Sequence, residues 1–265
     1  MNVQLTPNTS NQSAPLLNRL LTLLYGGISY LIFFGTFLYA IGFVGNLVVP
    51  TSIDTGPQVP LSEALGVNLL LLGLFAVQHS IMARPAFKKW WTRFVPPQIE
   101  RSTYVLVSSA LLCLLFWQWR PISGTLWNAE QPVQAILWGL FAIGWLVVLI
   151  STFLIDHFDL FGLRQVFLFA TGRPYSSPPF RTPVLYRFVR HPIMLGFVIA
   201  FWATPTMTWG HLLFTVMTTA YIFIGITLEE RDLRNAFGGT YEEYRQQVTM
   251  LVPWFKGPTS RNDKR

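Results

Sequence analysis

Residues 132–155 read PVQAILWGLFAIGWLVVLISTFLI, with Gln134 near one end and Ser151 and Thr152 near the other as the only polar side chains. A bilayer is crossed by about 20 apolar residues at ~1.5 Å of rise each, so this stretch reads as a transmembrane helix. Working outward, comparable runs occupy Leu20 to Val49, Leu61 to Met82 and Thr103 to Trp119, and two more follow the last long loop. One of these begins near Pro192 and stops before Pro205; the other runs from about Trp209 to Leu228. The former holds about a dozen residues, too few for a full crossing. It must extend backwards through Val184, tilt, or form a short hairpin with its successor. The fold class expected is an all-α polytopic bundle of about five to six spans, a single integral membrane domain over residues 1–265.

Composition agrees. The chain is 52% hydrophobic and only 12% charged, about half the charged fraction of an ordinary soluble domain. The net charge of +7 does not point to nucleic acid, which needs basic residues gathered on one folded face; here they are spread between apolar runs. Cys113, the single cysteine, lies inside an apolar run, which excludes an intramolecular disulfide and a cysteine metal cluster. No metal site is expected, since the histidines also lack a helical i, i+4 pair. Residues 1–15 are polar and uncharged and show no removable leader. They are expected to be loose, as is the basic tail 256–265. No internal repeat is visible.

Charge sets the orientation. With six passes, Arg84, Lys88, Lys89, Arg93 and Arg101 share the second loop, and Arg164, Arg173, Arg181, Arg187 and Arg190 the fourth. Every Lys and Arg except Arg120 then falls on one side with both termini, whereas Asp54, Glu63 and Glu130 fall on the other. By the positive-inside rule that side is the cytoplasm. The pairs Trp90 and Trp91, and Trp117 and Trp119, read as interfacial aromatic belts. Beyond the last span, EERDLRNAFGG continues as a charged helix stopped by Gly238 and Gly239. Thr240 and Glu243 form a capping box for a second helix, Tyr241 to Val248, ended by Pro253. This polar segment is expected to fold as a helical cap on the cytoplasmic face.

Ionisable groups at membrane helix ends are costly and mark function. His79 closes the second span, Asp156 and His157 the fourth, Arg190 and His191 open the fifth, and Glu229 and Glu230 close the sixth. All belong to cytoplasmic ends under this topology. Within LYRFVRHPIMLG, Pro192 stands where a helix begins, leaving free amides and a positive helix end for an anionic group. Arg190 beside it offers a bidentate contact.

The combination of RHP at Arg190, His191 and Pro192, EE at Glu229 and Glu230, FG at Phe237 and Gly238, and the tyrosines Tyr241 and Tyr244 resembles the isoprenylcysteine carboxyl methyltransferase superfamily. Upstream, VQHSIMARPAFKKWW, ERSTYVL and STFLIDHFDLFGLRQ resemble the narrower bacterial group of methanethiol S-methyltransferases. Met194 stands where isoprenylcysteine enzymes carry tyrosine, and Thr249 where they usually carry proline, which points away from a prenylcysteine substrate. The resemblance implies S-adenosylmethionine as co-substrate, methanethiol as a small thiol substrate giving dimethyl sulfide, and a multi-pass location in the bacterial inner membrane. It implies a cofactor-binding region over residues 184–255, with Arg190, His191, Pro192, Leu195, Glu229, Glu230, Tyr241 and Tyr244 around the cofactor. A sterol-type membrane reductase using a nicotinamide cofactor, and a non-enzymatic carrier or assembly factor, are the other readings. The first should carry more basic contacts for a phosphorylated dinucleotide. The second should show inverted repeats or polar residues near the bilayer midplane.

Methyl transfer to a thiol also needs a proton acceptor, because an alkyl thiol has a pKa of about 8.5 or somewhat higher. His79, His157 and Asp156 are the catalytic candidates, since an imidazole titrates near 6.5. Neighbours on a helix point about 100° apart. Asp156 is therefore expected to orient His79 across the bundle rather than His157, with His157 the next choice as base.

Overall fold

The computed structural model describes residues 14–252. The expectations for residues 1–13 and for everything after Val252, the loose tails and the role of Pro253 among them, lie outside the described residues. Five helices are long and apolar enough to cross a membrane: α1 (Leu16–Gly45), α2 (Leu61–Ala83), α4 (Pro97–Gln118), α5 (Val133–Ile155) and α9 (Trp209–Phe237). Between them lie the short helices α3 (Pro85–Trp91), α6 (His157–Leu160), α7 (Leu163–Ala170) and α8 (Pro192–Trp202), with α10 (Gly239–Gln247) after α9. The chain is an all-α, multi-pass membrane protein, as its apolar runs predict.

Proline opens many of these helices. Pro85, Pro97 and Pro192 occupy the first turns of α3, α4 and α8, and Pro15 and Pro60 immediately precede α1 and α2. Its missing amide proton is no loss at a position that has no intrahelical acceptor, and its φ is already helical. The helices are inside-out relative to a water-soluble bundle. Leu31, Leu70, Ile136 and Ile224 are exposed, whereas Ser29, Asn68, Ser102, Ser109 and Ser151 are buried. Lipid tails are as apolar as leucine, so close packing by small and hydrogen-bonding residues, not burial of leucine, holds such helices together.

The chain forms two compact units. Among the described residues the first comprises 14–124, 156–179 and 209–211, in which α4 packs against α1 and α2, and α7 against α1 and α4. At Gly162, where φ is +87°, a Cβ would lie 2.6 Å from Ser102 Oγ; only glycine lets α7 start there against α4. Trp119 corrects the expectation of an interfacial belt. It is buried, and its indole Nε1 donates to the Ile53 carbonyl at 2.9 Å, because a buried indole needs an acceptor. Its partner Trp117 is exposed.

Among the described residues the second unit comprises 125–155, 180–208 and 212–252. A strand before α5 (β1, Thr125–Asn128) pairs antiparallel with one after α8 (β2, Thr206–Thr208). This pairing puts the start of α5 and the end of α8 at the same level. At 11 residues α8 is short, and it forms a hairpin with α9 through β2, one of the expected solutions. α8 lies directly on α5: a Cβ at Gly144 would stand 2.6 Å from the Ala200 amide nitrogen, and one at Gly196 2.7 Å from the Gly144 carbonyl. Trp145 then packs edge-on against Phe197 and Phe201. α9 runs past the apolar stretch to Phe237, and Gly238 at φ +54° breaks it. The capping box is not formed. α10 starts at Gly239, with no side-chain cap and with Thr240 already inside the helix.

Candidate functional site

In the second unit a single turn of 3-10 helix, Val184–Arg187, leads into the RHP segment. Val189 pairs with Thr249 in a parallel bridge, the Arg190 amide donates to the Thr249 carbonyl at 2.9 Å, and the His191 amide to the Met250 carbonyl at 3.2 Å. The segment after α10 is thereby laid along the start of α8. From this backbone Arg190 donates Nε to Glu230 Oε1 at 2.8 Å and Nη1 to the carbonyls of Arg245, at 3.1 Å, and Val248. His191 Nε2 lies 3.2 Å from the same Glu230 oxygen, and its Nδ1 3.5 Å from Glu229. A carboxylate only accepts, so Nε2 carries a proton. Arg190, His191 and Glu230 are all buried. A buried charge persists only when paired and hydrogen-bonded, which this cluster achieves.

Arg190, expected to meet a ligand anion, is held by Glu230 and by the carbonyls of Arg245 and Val248 at the end of α10, which a helix leaves without internal partners. Tyr244 similarly donates its hydroxyl to the Tyr186 carbonyl. Burial pushes that hydroxyl's pKa up to about 12, with Arg190 opposing and Glu230 adding to the rise. Tyr241 differs. It is 1% exposed, and its hydroxyl has no hydrogen-bond partner. Burial, with Glu230 close by, raises its pKa strongly. The rings of Tyr241 and Tyr244 pack with Phe180, which also meets Phe237. Pro192 opens α8 as expected, and Leu195 joins an apolar patch with Ile222, Ile226 and Leu251. The Glu229 side chain is 45% exposed.

The first unit holds a second polar cluster. Asp156 caps α6 by accepting from the Asp159 amide at 3.2 Å, in a strained backbone conformation at φ +130°. Strain of this kind is held only by over-determined surroundings and often marks functional sites. Asp156 faces Arg164 at 3.7 Å, and Arg164 donates to Asp159 at 3.1 Å. Gln165 and Tyr175 also donate to the Asp159 carboxylate. His157 is buried, its Nε2 2.8 Å from the Tyr30 hydroxyl and its ring edge-on to Phe161. Burial lowers the His157 pKa below its ordinary value and favours the neutral ring. His79, in α2, stands between the rings of Phe75 and Tyr104. The partners of Asp156 are thus Arg164 and the Asp159 amide in place of the expected His79, because the tight α6 turn pulls its carboxylate back onto its own segment. Among the described residues, no three His, Cys, Asp or Glu side chains could hold a metal ion.

Sequence reasoning passed over Tyr30, Asp159, Glu242 and Arg245. Asp159 lies within the FDLF run of a segment already singled out. Arg245 carried no signal separating it from the other basic residues.

The NnrU protein family matches residues 68–231. The chain is 57% identical to a methanethiol S-methyltransferase of Mycobacterium tuberculosis over 90% of its own length and 98% of that protein. To methanethiol S-methyltransferase 2 of Bradyrhizobium diazoefficiens it is 58% identical, over 89% of the chain and 91% of that protein. To mouse nurim it is 32% identical, over 64% and 68% respectively. No solved structure matches. The buried RHP and Glu230 cluster thus sits in a sequence whose likeness to these bacterial enzymes runs nearly end to end, and the chain belongs to the methanethiol S-methyltransferase family and, through residues 68–231, to the NnrU family.

Proposed function

We propose that the protein methylates methanethiol to dimethyl sulfide with S-adenosylmethionine as donor. The observation that carries this reading is 57% identity to a methanethiol S-methyltransferase across 98% of that enzyme. The donor supplies an electrophilic methyl group on a sulfonium. The methyl carbon leaves that sulfur for the thiol sulfur, and the thiol proton passes to a base.

The residues of the second unit fit an adenosyl donor. Tyr241 offers a buried hydroxyl without a protein partner, which a bound ligand would satisfy, since buried polar groups are costly to leave unpaired. Phe180, Phe237, Tyr241 and Tyr244 offer aromatic faces, which attract a cation. In this reading Arg190, His191, Pro192, Glu230 and Tyr244 shape the donor site by holding the chain after α10 on α8. Leu195 supplies apolar wall, and Glu229 an exposed charge.

Only a few per cent of an alkyl thiol is ionised at neutral pH, so an in-line displacement gains from a positioned base. His157 is our choice. Its lowered pKa keeps the ring neutral and able to accept a proton, and Tyr30 fixes its orientation. His79 is the alternative base, with Asp156 assigned to holding α6. The membrane is the bacterial inner membrane with both termini cytoplasmic, a reading supported by the basic residues of the loops after α2 and α5. A nicotinamide-dependent reductase or a non-enzymatic carrier is not favoured, since the relatives bear methyltransferase names.

The test is incubation of the purified, detergent-solubilised protein with labelled S-adenosylmethionine and methanethiol, following dimethyl sulfide by gas chromatography. Product dependent on both substrates is expected. Donor binding without product would sink the thiol assignment, and failure to bind the donor would sink the methyltransferase reading.

A further inference from the structure

Two arginines meet Glu230, and they are held differently. Arg190 is 8% exposed, with its Nε aligned on Glu230 and its Nη1 on two backbone carbonyls. The Arg245 side chain is 37% exposed. Its Nε is buried 3.2 Å from Glu230 Oε2, without the alignment of a hydrogen bond. Its Nη1 is shared at 3.3 Å between the two oxygens of Glu242. An arginine whose sole task was to pin α10 would be aligned and enclosed, as Arg190 is.

Tyr241, Glu242, Arg245 and Gln246 belong to α10. Residues three and four apart share a helix face, so Arg245 stands beside Glu242 on one flank and Tyr241 on the other. Arg190, Glu242, Arg245 and Gln246 line an open cleft of about 230 Å³. Its lining offers a guanidinium fork with donor capacity to spare, a carboxylate and an exposed primary amide. This set complements a zwitterion: the fork matches a carboxylate, and the carboxylate matches an ammonium. On the same helix the hydroxyl of Tyr241, a residue 1% exposed, is left without a hydrogen-bond partner.

We infer that this cleft receives the amino-acid end of the methyl donor, with Arg245 binding its α-carboxylate and Glu242 its α-ammonium. The assignment rests on the donor reading above and names the residues of α10 that select for it. Arg245 exchanges part of its contact with Glu242 for the ligand carboxylate, while Glu230 keeps its buried partners Arg190 and His191. The adenosyl part is left to the rest of the site.

Binding of S-adenosylhomocysteine and of 5′-methylthioadenosine to the solubilised full-length protein, by calorimetry, separates the two ends of the donor. The second compound carries the adenosyl group and sulfur without the amino-acid end. Wild-type protein is expected to bind S-adenosylhomocysteine more tightly. In Arg245→Ala that affinity should fall roughly 10- to 100-fold, as for loss of a charged hydrogen bond, with 5′-methylthioadenosine unchanged. Arg245→Lys should fall between, and Glu242→Gln should weaken only S-adenosylhomocysteine. An unaltered ratio of the two affinities in Arg245→Ala overturns the assignment. So does equal loss of both ligands in Arg245→Ala and Arg245→Lys, which would make the arginine a structural pin. Failure of the wild type to bind either compound defeats the donor reading itself, and the inference falls with it.

Discussion

Arg190, in the segment that leads into α8, and Glu230, on α9, form an ion pair of 2.8 Å between two side chains that are each less than a tenth exposed and forty residues apart in sequence. Removing one member leaves the other as a buried, uncompensated charge. Glu230→Gln is therefore expected to destabilise the protein by about 3–5 kcal/mol, read from unfolding in detergent. Combining it with Arg190→Met should cost less than the sum of the single changes, as it does for residues in contact. Additive losses would show that the pair is not coupled.

The approach of α5 to α8 makes a second prediction. Gly144→Ala inserts a methyl group 2.6 Å from the Ala200 amide nitrogen, and overpacking of this kind costs about 1–3 kcal/mol. Gly139→Ala, on the same helix with nothing within 4 Å of its Cβ, should be neutral or mildly stabilising through helix propensity. The two melting temperatures should move in opposite directions from the wild type, or the first alone should fall.

Tyr241→Phe removes a buried hydroxyl that no protein group satisfies. Stability should stay level or rise by about 1 kcal/mol, while donor affinity falls. A variant both less stable and unimpaired in donor binding would show that the hydroxyl serves the fold.

His157 gives a pH dependence whose sign can be worked out. Its folded pKa is lowered by burial, so as pH falls below about 6.5 the unfolded chain takes up a proton that the folded chain still refuses. Stability then rises with pH across the window from the folded pKa up to about 6.5, is complete above it, and is lost progressively below. If His157 accepts the thiol proton, kcat/KM should also fall on the acid side with a midpoint below 6.5. Tyr30→Phe should shift that midpoint. A profile unchanged in His157→Asn would pass the role of base to His79.

The spans were legible because hydrocarbon thickness imposes one length on every crossing, and the shortness of α8 was written between Pro192 and Pro205. Arg190, His191 and Glu230 were legible as charges at helix ends, where their cost demands a reason. What each of them touches was not. Tyr30 lies in the middle of an apolar run and meets His157 from 127 positions away. Apolar runs of near-uniform composition do not say which face of one helix meets which face of another. Asp156 defeated the expectation from helical geometry because its backbone leaves the helix at φ +130°. Trp119 looked like its neighbour Trp117, and its burial and its bond to the Ile53 carbonyl distinguish it.

The bond from Arg190 to the last carbonyls of α10, and those from the backbone of residues 190 and 191 to Thr249 and Met250, have a temporal meaning. All five long helices are synthesised before any of these acceptors exists. The proposed donor site is therefore completed by the last-made part of the described chain, and it is whole only when residues 245–250 lie along the start of α8.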